Sequence, residues 1–96
     1  MKYFHRTHLP LAEVLAGAES YFGQTLASVE QQPRRRVFAG TPGRISVTVQ
    51  AEGGHYTLVT VETDQVAESE ADKLAKRFLT MVHTKADPGH RPIGAY

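Results

Sequence analysis

The chain has 96 residues, no cysteine, and eleven Lys and Arg against ten Asp and Glu, for a net charge of +1. That length makes one domain. The missing cysteines exclude a disulfide framework and a thiolate metal site, and near-neutrality removes the electrostatic footprint of a nucleic-acid binder.

No run approaches the roughly 18 apolar residues of a membrane span. The opening Met1-Lys2-Tyr3-Phe4-His5-Arg6 is no secretory signal either, so the expectation is a cytoplasmic protein without membrane insertion. Lys2 to His8 mixes aromatic, Thr and His residues without a helical period and reads as a short strand. Pro10 suits the first turn of a helix, where its missing N–H would have had no partner. Leu11, Val14, Leu15, Ala18, Tyr21 and Phe22 then form one apolar stripe, and Gly23 is expected to end it as a left-handed cap. Residues 24–33 have no clean period and fit either a strand broken at Pro33 or an irregular linker.

From Arg34 the pattern alternates. Arg35, Val37 and Ala39 share one parity, and Gly40-Thr41-Pro42-Gly43 turns the chain. Ile45, Val47, Val49 and Ala51 give a strand with one dry face, Glu52-Gly53-Gly54-His55 signals a hairpin, and Tyr56 to Thr63 returns. Ala67, Ala71, Leu74, Ala75, Phe78, Leu79 and Val82 mark one face of a long helix, with Asp64 as the expected cap. Acidic residues early in that helix and basic ones late suit its dipole. Asp87-Pro88-Gly89 stops it.

The expected fold is α+β: a two-layer sandwich ordered β-α-β-β-β-α, its four-stranded, mainly antiparallel sheet ordered 1-4-3-2 with both helices on one face. Residues 1–86 form the domain and 87–96 an extended C-terminal tail. The opening Tyr3-Phe4-His5-Arg6-Thr7-His8-Leu9-Pro10, the meander and the closing helix with Arg77-Phe78-Leu79 resemble, over residues 2–85 and in shortened form, the SRPBCC (helix-grip) family. Small proteins of polyhydroxyalkanoate granules look similar too. The SRPBCC resemblance implies an apolar ligand held between the sheet and the C-terminal helix.

The residues themselves offer little chemistry. His5, His8, His55, His83 and His90 lack the i, i+4 spacing of a zinc helix, so no metal and no cofactor are expected. No activated nucleophile or phosphate-binding loop stands out, so the chain reads as a non-enzyme. An enzyme centred on His5 or His55 is the weakest of three classes.

The informative anomaly is parity. If Val37, Ala39 and the valines of the later strands face the helices, then Phe38, Tyr56 and Leu58 face the other way, and exposed apolar patches mark association sites. Arg34 and Arg36 would share that face, offered to a protein partner or guarding an exposed edge strand. Ile93 and Tyr96 are the candidate anchors of the tail. The leading expectation is a non-catalytic protein-interaction module, a small accessory subunit or a homo-oligomer. The alternative is an SRPBCC-like binder of a small apolar ligand.

Overall fold

The computed structural model describes residues 1–86, which form a two-layer α+β sandwich. In chain order the elements are β1 (Lys2–Thr7), α1 (Leu11–Phe22), β2 (Ala27–Gln32), β3 (Arg35–Gly40), β4 (Gly43–Glu52), β5 (Tyr56–Thr63) and α2 (Glu70–Ala86). The strands pair antiparallel in the order β1-β5-β4-β3-β2. The four-stranded order expected from the sequence lies inside this one. The correction is a fifth strand, β2, drawn from residues 24–33 and added at the edge beside β3.

Two local features hide β2 in the sequence. The register jumps between Ser28 and Glu30, a bulge that breaks the alternation a regular strand would show. Pro33 does not interrupt the strand. It sits with Arg34 in the two-residue turn joining Gln32 to its partner Arg35, where a fixed φ and a missing N–H do no harm. The Gly53-Gly54-His55 turn is as expected, with φ of 64° and 76° at the glycines.

The helix ends depart from expectation. Gly23 closes α1 at φ −63°, in the right-handed region. Glycine is needed there for closeness, because a Cβ would collide with the Glu19 carbonyl oxygen that accepts the Gly23 N–H at 3.0 Å. α2 begins at Glu70, and Ser69 caps it by accepting the Asp72 N–H at 3.2 Å. Asp64 instead accepts the Arg44 N–H at 2.8 Å, and that bond holds its carboxyl below the usual range.

The core lies between the helices and one sheet face. α1 contributes Val14, Leu15, Ala18 and Phe22, and α2 contributes Ala71, Ala75, Phe78, Leu79 and Val82. Ile45, Val47, Val49, Val59 and Val61 rise from the sheet to meet them. Full burial of side chains of this size stabilises by about 1.5–3 kcal/mol each.

The parity of β3 is reversed from expectation. Phe38 stands opposite Ile45 and Arg36 opposite Val47, so both face the helices, while Arg35, Val37 and Ala39 face the open side. Phe38 is 1% exposed and packs on Phe22 with ring centroids 5.3 Å apart. A phenyl ring fills the gap under the end of α1 that a valine would leave empty. Val37 is buried on the open side, in a shallow hollow lined by Arg35, Arg44, Ser46 and Glu62.

Candidate interaction surface

The face of the sheet away from the helices is built by register. One row runs Gln32, Arg35, Thr48, Thr60, Phe4, and the next runs Glu30, Val37, Ser46, Glu62, Lys2. Most of these side chains are polar. The large apolar ones gather at the β1–β5 corner, where Leu58 lies opposite Arg6 and diagonal to Phe4, and Tyr56 follows two residues away. Phe4 is 58% exposed and Tyr56 45%, whereas Leu58 is half-buried.

An ion pair crosses this corner. Arg6 on β1 donates from Nε to Glu52 Oε1 on β4 at 2.5 Å. Since β5 lies between those strands, the pair spans β5 beside Leu58 and Tyr56. The His8 ring lies 4.7 Å from that of Tyr56, and the Lys2 ammonium 5.6 Å from the centre of Phe4. The corner is an apolar strip with charges of both signs around it.

Of the residues picked from the sequence, Tyr56 and Leu58 share this corner. Phe38 does not: it belongs to the core and presents nothing to a partner. Arg36 is also corrected, because it turns to the helix layer and donates to Glu19 of α1 at 2.6 Å. Arg34 is exposed in the β2–β3 turn, away from the corner. The edge strand beside β3 is β2, so the arginines of β3 do not guard an edge; Arg35 pairs with Glu30 of β2 across the ladder at 3.1 Å. Ile93 and Tyr96 lie outside the described residues. Phe4 is not among the residues picked from the sequence, because its neighbourhood with Leu58 exists only once β1 pairs with β5. Alternation along β1 was the available signal, since it puts Phe4 opposite in parity to Tyr3 and His5.

A second cluster ties β1 to α2. Asp72 is fully buried and accepts from the Tyr3 hydroxyl at 2.5 Å and the Glu68 N–H at 2.9 Å, while the Lys76 ammonium lies 3.3 Å from Oδ2. Burial pushes the Asp72 carboxyl up, but the bonds from Tyr3, Glu68 and Lys76 outweigh it and hold the group below the usual carboxylate range. Tyr3 is raised, by burial first and then by Asp72. The Tyr3–Asp72 bond, with Lys76 beside it, clamps β1 to α2.

His5 and His83 meet at the other end of α2, with ring centroids 5.8 Å apart. Burial, then the neighbouring His83, push the His5 imidazole below its ordinary value. Among the described residues no three His, Asp or Glu side chains are placed to hold a metal ion. Nor is any described helix long and apolar enough to cross a membrane. No family model matches this sequence, and no curated protein matches it.

Proposed function

We propose that this chain is a non-catalytic interaction module that associates with a second copy of itself through the β1–β5 corner of its open sheet face. The observation that carries the reading is the apolar strip of Phe4, Leu58 and Tyr56 on adjacent strands, two of them about half exposed. Single exposed apolar residues are ordinary, but a contiguous strip is a place where another surface gains by covering it. The rim favours a like partner. Lys2 stands opposite Glu62, beside the internal Arg6–Glu52 pair, so two copies related by a twofold axis can set Lys2 of each against Glu62 of the other. In this reading Ile93 and Tyr96 of the tail add further anchors.

Light scattering over a concentration series tests the proposal. Leu58→Asp is expected to shift the monomer–dimer midpoint at least tenfold toward monomer, because a carboxylate would be desolvated in the interface. Phe4→Ser, at a more exposed site, is expected to act in the same direction with unchanged circular dichroism. A wild-type chain that stays monomeric at millimolar concentration would sink self-association.

A further inference from the structure

The outer seam between α1 and α2 is independent of the sheet face. A cleft of 560 Å³ runs along it, lined by Leu9, Val14, Gly17, Phe78, Met81 and Val82 among others. That volume is within the range of small-molecule sites, roughly 300–1,000 Å³. At Thr80 and Met81 it passes into a second cleft of 590 Å³, whose lining includes Lys73, Lys76 and Arg77 with Tyr21 and Glu68. The two clefts meet at those residues; the first is mostly apolar, with Glu13 and Lys85 also in its lining, and the second carries three cations and Glu68.

Two details show what the joined clefts could accept. Gly17 keeps the wall of the cleft low: a Cβ there would meet only the buried Phe78 ring, 4.0 Å from Cε1. The cations are not all engaged. Lys76 is held by Asp72 and Glu68, but Lys73 and Arg77 make no ion pair among the described residues. Glu68 is already paired with Lys76, and Glu13, on α1, lines the other cleft and not the one that holds Lys73. From Lys73 to Lys85 the helix spans about 18 Å at 1.5 Å per residue, enough for an extended hydrocarbon chain.

We propose that this seam binds one long-chain carboxylate, its head group between Lys73 and Arg77 and its hydrocarbon along Gly17, Phe78, Met81 and Val82. The site is on the outer side of the helix layer, not between the sheet and α2, where Ala71, Ala75 and Leu79 are packed in the core. Met81, 46% exposed at the junction of the two clefts, is a flexible thioether that adapts to a chain laid against it. The cations add a charge-assisted contact that a neutral chain cannot make.

Titration calorimetry of the full chain with dodecanoate, 1-dodecanol and dodecylammonium, all below micelle formation, tests this. Dodecanoate is expected to bind one to one, and the double substitution Lys73→Glu with Arg77→Glu to weaken it at least tenfold while leaving dodecanol unchanged. Gly17→Leu, which fills the cleft from an otherwise open position, is expected to weaken both. Leu58→Asp should leave dodecanoate binding intact, which separates this site from the sheet-face reading. The proposal is overturned by equal binding of dodecanoate and dodecylammonium, by no binding, or by indifference to Gly17→Leu. It is also overturned if the seam proves to be closed by a second copy, seen as a dimer that Gly17→Leu dissociates.

Discussion

Replacing Asp72 by alanine is expected to cost about 3 kcal/mol of folding stability, because removing one partner of a buried ionic cluster strands the others. In a domain of this size that is roughly 15 °C in melting temperature. The Tyr3 hydroxyl, the Glu68 N–H and the Lys76 ammonium all converge on this one carboxylate. Glu68 is also held at φ 67°, in the left-handed region that a non-glycine residue enters only when its surroundings hold it. The loss has a pH signature. Since the folded pKa is lowered, the stabilisation is fully present above the unfolded carboxylate value of about 3.9 and fades as pH falls through the folded value. Urea melts should therefore show a large gap between wild type and Asp72→Ala at pH 7 that narrows in acid below pH 4. A gap that persists undiminished there would assign the loss to packing.

Phe38→Ala is expected to cost about 3–5 kcal/mol, the ordinary penalty for emptying a buried phenylalanine site. Phe38 sits in a ring cluster with Phe22, which itself stacks 5.1 Å from Phe78, so the cavity would open where β3, α1 and α2 meet. Leu58→Asp should change the melting temperature far less, since Leu58 lies on the open face. The two substitutions thus separate a fold residue from a surface residue of similar apolar character. If Phe38→Ala melts like wild type but dissociates the dimer, Phe38 is on the surface and the β3 register is wrong.

The residues show why one half of this picture was legible and the other was not. The stripes of α1 and α2, and the alternation of β4 and β5, are long enough that periodicity alone places Val14, Val47, Val61 and Leu79 inside. β3 is not. Its segment Arg-Arg-Val-Phe-Ala has apolar residues on both parities, and only pairing with Ile45 and packing on Phe22 choose Phe38 over Val37. β2 was obscured by its bulge, and the Asp72 clamp by distance, since Tyr3 and Asp72 are 69 residues apart. The candidate surface was half visible: Tyr56 and Leu58 follow from alternation, whereas the adjacency of Phe4 depends on β1 joining β5.

That joining has a consequence for how the chain folds. β2 to β5 are successive hairpins closed by turns of two or three residues, contacts that form on the microsecond scale. β1, by contrast, meets β5 across fifty to sixty residues of chain, and closing so long a loop costs entropy before any contact repays it. The hairpins are therefore expected to form the nucleus, with the first strand joining late. Weakening a hairpin would slow folding, while loosening β1 would mainly speed unfolding. The Asp72 clamp, which fastens β1 to α2, is then a brake on the way out of the native state, not a guide on the way in.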